Sequence, residues 1–276
     1  MLGAYPGGTV ADLAAFDGAV AVRARITEHY LMWGSPYPAG FVRAAAGIGA
    51  RTILELQPMG GAGSPTLPQI AAGRADAWLV GFGSQIARMG QHVMIAFAPE
   101  MNGGWYPYGH GYVTAAEFVA AYRHVHDVLA ASAAGHLIGW IWQPSAIHID
   151  TPSPGPYWPG ASYVDFIALD GYYYFPSDTF ETVFGKTIRL LRSLAPTTPM
   201  LIGETAVGPM TNHQPADVSN LISSIVANHL LGLIWFDKNQ GYRHSAYHQD
   251  WRLEATPATL AAFRNALSEL RLRGSL

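Results

Sequence analysis

His92-Val93-Met94-Ile95-Ala96-Phe97-Ala98-Pro99-Glu100-Met101-Asn102-Gly103-Gly104-Trp105-Tyr106 reads as a buried strand that ends abruptly in an acid. The run from Val93 to Ala98 carries no polar residue, as in strands of a parallel sheet covered on both faces. Glu100 then interrupts the apolar pattern and is followed by glycines and aromatics. A second stretch, Met200-Leu201-Ile202-Gly203-Glu204-Thr205, repeats the same form. A carboxylate at the edge of an apolar core is costly unless it is paired or used.

Working outward, strand-like runs recur at Leu2–Tyr5, Ala24–Tyr30, Thr52–Leu56, Leu137–Trp142, Val164–Leu169 and Leu231–Phe236. Segments of helical period separate them: Thr9 to Phe16, Phe41 to Ala46, Ala75 to Met89, Thr114 to Ala131, Thr179 to Leu194, Ala216 to His229 and Pro257 to Leu270. Asp, Ser and Thr stand near several of the helix starts, and Pro257 suits a first turn. The exception is Pro144 to Ser162, which holds five prolines and no helical pattern; the spacing predicts a long loop there. Eight strands separated by helices predict a parallel sheet closed into a single (β/α)8 TIM barrel over residues 1–276. A doubly wound open sheet would need a glycine-rich phosphate turn after its first strand. Tyr5-Pro6-Gly7-Gly8 lacks that spacing.

Composition narrows the function. The chain of 276 residues is 50% hydrophobic and 13% charged, enough for a large core. Its net charge of -3, without basic runs, argues against a nucleic-acid partner. The absence of cysteine removes disulfides, thiol chemistry and Cys-ligated zinc. No apolar run approaches the ~20 residues of a membrane span. Met1 to Tyr5 reads as a strand already under way rather than as a secretion signal.

In a barrel, chemistry sits at the C-terminal ends of the strands. Those ends carry Glu55-Leu56-Gln57, Glu100, Trp140-Ile141-Trp142-Gln143, Asp170-Gly171-Tyr172, Glu204 and Trp235-Phe236-Asp237. Acids and flat aromatic rings on one rim suit a sugar, whose hydroxyls meet carboxylates and whose apolar face meets rings. Two glutamates on separate strands are what an acid/base and a nucleophile would need; a carboxyl separation of roughly 5–5.5 Å predicts retention and ~6.5–9.5 Å inversion. One must then be held protonated and the other ionised, with Tyr172 a hydrogen-bond donor to the latter. The eleven histidines do not suggest a metal centre. His124 and His126 do not share a helix face, His244 and His248 fall in a loop-like segment, His110, His148 and His213 are scattered, and HExxH is absent.

The run Glu100-Met101-Asn102-Gly103-Gly104-Trp105 resembles the acid/base motif of glycoside hydrolase family 26, the β-mannanase and lichenase family. Trp140 to Pro144, Trp158-Pro159-Gly160, Val164 to Tyr172 and Gly203-Glu204 continue the resemblance in order over nearly the whole chain. It implies Glu100 as acid/base and Glu204 as nucleophile. Tyr172 lies against the nucleophile, Trp105 and Asp170 line the cleft, and Trp235 forms the aromatic floor beneath the reacting sugar. The family implies a retaining mechanism on β-linked polysaccharide, without metal or organic cofactor. One departure is Pro99, where the family usually has a histidine that contacts the reacting sugar. Proline supplies neither a side-chain donor nor an N–H. That contact then comes from Gln143, Glu55 or His110 or is absent, with Trp142 a further candidate for the cleft. Asn102 is expected to hold its loop through side-chain-to-backbone bonds.

These readings converge on an endo-acting β-glycanase, with β-mannan ahead of β-glucan and β-xylan. It is expected to be a monomer, to bind polysaccharide or oligosaccharide but neither nucleic acid nor membrane, and to work outside the cell. The alternatives are a catalytically impaired barrel that binds polysaccharide and a metal-dependent amidohydrolase on the same barrel.

Overall fold

Eight parallel strands close on one another in sequence order: β1 (Leu2–Tyr5), β2 (Ile26–Met32), β3 (Arg51–Gln57), β4 (Val93–Phe97), β5 (Ile138–Trp142), β6 (Phe166–Asp170), β7 (Met200–Thr205) and β8 (Leu233–Phe236), with β8 pairing β1. This computed structural model describes residues 1–60, 63–148, 150–243 and 245–272; His244 lies outside them. The crossovers are α1 (Val10–Val20), α2 (Ala39–Gly47), the short α3 (Leu67–Ala71) with α4 (Asp76–Met89), α5 (Ala115–Ala130), α6 (Lys186–Leu194), α7 (Gln214–Ala227) and α8 (Pro257–Leu272). This is the expected (β/α)8 barrel, with strand ends within two residues of the sequence reading. Among the described residues no helix is long and apolar enough to cross a membrane.

Local chemistry sets the helix starts. Thr9, Thr66 and Thr114 each accept an N–H three residues on, and Asp12, Gln69 and Glu117 return the bond. The β5–β6 connection has no α-helix, as its prolines predict. Trp158 packs there against Trp142 at 5.0 Å, Tyr157 packs on Phe118 of α5, and Arg123 of α5 donates to Pro159 O at 2.7 Å.

Side chains alternate between barrel interior and helix layer. Ile26, Ile53, Met94, Ala96, Ile141, Ala168, Leu201 and Ile234 face inward and form an apolar floor. Two residues further along their strands stand Glu28, Glu55, Gln143, Asp170 and Phe236, so the same face becomes polar toward the C-terminal rim. The odd-spaced neighbours, such as Trp142 and Trp235, belong to the outer core.

Two irregularities aim the glutamates. Strict alternation after Leu201 would put Gly203 inward and Glu204 outward. The register of β7 shifts against both β6 and β8 around this point, and such a bulge turns the following side chain to the other face. Gly203 fills the inward position because a Cβ there would stand 2.5 Å from Asp170 Oδ1 and 2.7 Å from Ala168 Cβ. Beyond β4, Ala98 (φ 49°) and Glu100 (φ 55°) both lie in the left-handed region. That conformation is costly for residues with a Cβ and concentrates at functional sites. Gly203→Ala should destabilise the barrel by about 1–3 kcal/mol, read as a lower urea midpoint; an unchanged midpoint would show that the close approach is relieved without cost.

Candidate active site

Glu100 and Glu204 stand on the same rim, each held by side-chain donors. Trp105 Nε1 donates to Glu100 Oε2 at 2.8 Å, and the Glu100 N–H donates to Gln143 O at 2.7 Å. The Trp105 ring folds directly over Gly103, leaving no room there for a side chain. That is the physical role of the first glycine in the motif. The indole is 49% exposed, so one edge binds the acid while a face looks into solvent. Asn102 is fully buried. It donates to Ser145 O and Pro152 O and accepts from Ser145 N, tying the Glu100 loop to the β5–β6 connection.

Glu204 accepts from two phenols, Tyr30 at 2.5 Å on one oxygen and Tyr172 on the other. Beside it, Gln143 Nε2 donates to both Glu55 Oε1 and Asp170 Oδ2 at 3.0 Å, and all three residues are buried. Gln143 therefore links the acids Glu55 and Asp170 through its side chain and the Glu100 backbone through its carbonyl, with Glu204 beside Asp170 in register.

Burial and the neighbouring Glu204 charge push Glu100 up to about 8, against the opposing bonds from Trp105 and Ser145. Burial also raises Glu204, but both phenolic bonds oppose it. Glu55 and Asp170 are driven well above the carboxylate range by burial, then by Glu204 and Glu100 respectively. The two rim glutamates thus differ in kind: one favours its proton, and the other is equipped with donors that stabilise its charge.

Several expected cleft residues lie elsewhere. Trp235 is fully buried, packs on Phe263 of α8 and donates to Trp251 O, so it faces the helices. Trp142 is equally buried, against Trp158. Both fail for one reason: they occupy outward positions of the pleat. The ring that does reach the rim from β8 is Phe236, stacked on Tyr5 at 5.6 Å and edge-on to Tyr172. His110 is exposed, bonds Tyr157 Oη through Nδ1, and lines a separate groove with His148 and Lys186. Tyr30, Trp251 and Glu28 escaped the sequence reading, which places Phe236 on a strand end without giving it a role. Trp251 packs on Tyr172 at 5.0 Å. Tyr30 and Glu28 sit on alternate positions of β2, which are legible once that strand's inward face is fixed.

Two of the histidines serve the helix layer: His124 pairs with Asp76 at 2.6 Å, and His126 packs on Trp140 and Tyr163. Among the described residues, the one acid group compact enough to surround a cation is Glu28, Glu55 and Glu204, without a histidine.

Barrel and rim together describe a carboxylate-lined protein of glycosidase layout. The sequence profile of glycosyl hydrolase family 26 matches residues 84–253, more than half of the chain. The chain belongs to that family. Endoglucanase H of Acetivibrio thermocellus is 26% identical over 215 residues, covering 72% of this chain but only 22% of that protein. A modular endo-β-1,4-mannanase of Cellulomonas fimi superposes with a TM-score of 0.67 at 17% identity, covering 91% of this chain and 65% of that one. The catalytic domain of a Bacillus sp. JAMB-750 family 26 endo-β-1,4-mannanase gives 0.68 at 16% identity, covering 92% and 78%. At these identities the structural likeness speaks for the fold.

The elevated Glu100 carboxyl has a consequence for stability. The folded state holds this proton to a higher pH than the unfolded chain. Its contribution is therefore full below the ordinary carboxylate range and is lost as pH rises through about 8. Glu100→Gln should accordingly raise the melting temperature at alkaline pH and leave it nearly unchanged at acid pH. Equal effects at both would refute the assignment.

Proposed function

We propose that this chain is a retaining endo-β-glycanase in which Glu204 is the nucleophile and Glu100 the acid/base. The observation that carries the reading is the contrast between the two glutamates, one raised to about 8 and the other held by two phenolic donors. Protonated Glu100 gives its proton to the glycosidic oxygen as Glu204 attacks the anomeric carbon, breaking the C–O bond and forming a glycosyl ester. Glu100, now ionised, takes a proton from water, whose oxygen attacks the same carbon and frees Glu204. Tyr30 and Tyr172 orient Glu204 and stabilise its charge before attack and after release. Gln143, Glu55 and Asp170 meet sugar hydroxyls, Trp105 offers its exposed face beyond the bond cleaved, and Phe236 takes the floor role expected of Trp235.

β-Mannan is the first substrate proposed, on the family and on the mannanases that share the fold. β-Glucan is the second, because Pro99 removes the usual histidine contact and Endoglucanase H is a relative. Such polymers lie outside cells, so the chain is read as one exported catalytic domain that acts as a monomer without a cofactor.

Glu100→Gln and Glu204→Gln should each lower hydrolysis by several orders of magnitude with the fold intact. Substantial remaining activity in either would refute the assignment. A fully folded wild-type chain that binds but does not cleave a panel of β-glycans would favour the impaired-barrel reading. Proton NMR of the first products should show the β anomer, and an initial α product would exclude retention. The alkaline limb of kcat/KM should fall near 8, where Glu100 loses its proton. Trp105→Phe should move that limb upward, because the indole bond favours the ionised acid.

A further inference from the structure

The proposed chemistry leaves one buried acid without a task. Glu28, on β2 between the floor residue Ile26 and the nucleophile's partner Tyr30, is wholly inaccessible. Glu55, Asp170, Glu100 and Glu204 each accept a bond from a named N–H or O–H. Neither oxygen of Glu28 receives one, although both are buried. No Lys, Arg or His pairs with any of these five acids among the described residues. One oxygen each of Glu28, Glu55 and Glu204 lies within 4.8 Å of the others, and Glu28 and Glu55 are in hydrogen-bond reach. Two carboxyl groups in such contact bond only when one carries a proton. An ionised Glu28 would be a buried charge with no protein donor or cationic side chain beside it among the described residues.

We propose that Glu28 is a positioning residue that keeps its proton across the working pH range and donates its O–H to Glu55. Resting on the reading of Glu204 as nucleophile, this arrangement does two things. It fixes Glu55 as the acceptor at the end of the Gln143–Asp170 chain, and it keeps an additional negative charge away from Glu204. The surroundings agree. The charges that reach Glu28 are those of Glu55 on β3, Asp170 on β6 and Glu204 on β7, with the phenols of Tyr5 on β1 and Tyr30 on β2 alongside. Burial first, and then the charges of Glu55, Glu204 and Asp170, push Glu28 well above the carboxylate range. Glu55 already accepts the Gln143 amide on Oε1, whereas neither oxygen of Glu28 has a donor, which places the proton on Glu28.

Infrared spectra at neutral pH in a Glu100→Gln background, which removes the rim acid's own proton, test this directly. In difference spectra against that background, one protonated-carboxyl carbonyl band should be lost on adding Glu28→Gln and none on adding Glu55→Gln, whatever Asp170 contributes to both spectra. Loss with Glu55→Gln instead, or no such band, would overturn the proposal. This readout needs no turnover, so it stands apart from the assignment of Glu204. In the Glu100-containing enzyme, Glu28→Gln should leave the acid limb of kcat/KM in place, because Gln donates to Glu55 without carrying charge. Were Glu28 ionised, the same change would remove a negative charge near Glu204 and move that limb down by about 1 pH unit or more. Glu28→Leu, which has no donor, should lose about tenfold in kcat/KM where Gln does not. A rise in wild-type melting temperature with Ca²⁺ or Mg²⁺ that Glu28→Gln abolishes would overturn the proposal in favour of a bound cation.

Discussion

All inward side chains of a closed eight-stranded barrel share one narrow lumen of low dielectric, and here its upper part carries acids that pair with no Lys, Arg or His among the described residues. Carboxylates in such a place repel one another and lack water, so each must find a donor or keep a proton. The positions of Tyr30, Tyr172, Gln143 and Trp105 follow from that requirement. Their donors go to acids before any substrate arrives. The layer is thus a set of unequal acids produced from identical functional groups by neighbours alone.

Unequal acids are useful only if they point at one another's workspace, and regular strands would not have aimed them so. The bulge at Gly203 turns Glu204 inward, and the left-handed residues after β4 bring Glu100 back over the mouth. Both distortions are local costs carried by a strongly packed frame. The floor below them is apolar and buried, which anchors the strands while leaving the rim free to depart from ideal geometry.

The barrel was largely legible because strands covered on both faces read as apolar runs, and because helix caps and prolines punctuate the crossovers. The same property hid the direction of each side chain. A strand buried on both faces carries no alternation to show which residues point inward, so Trp142 and Trp235 looked as available as Gln143 and Phe236. One position of pleat separates these pairs, and only the closed sheet decides it. Glu28 and Tyr30 were missed on β2, whose His29 and Thr27 alternate with them and give the strand a mixed, unremarkable polarity. Glu55, Gln143, Asp170 and Tyr172 were readable because an acid, amide or phenol ended a run that was otherwise apolar.

The β5–β6 connection, poor in helix, is fastened at three places. Arg123 holds it from α5, Trp142 packs under its tryptophan, and Asn102 grips it at Ser145 and Pro152 from the loop that carries Glu100. In most crossovers of this barrel a helix separates one rim loop from the next. Here the loop after β4 and the connection after β5, although α5 lies between them in sequence, are also tied directly to each other through Asn102. Strain applied to the outer wall between β5 and β6 would travel to the base of the acid-bearing loop through a few hydrogen bonds, making this seam a mechanical lever on one side of the cleft.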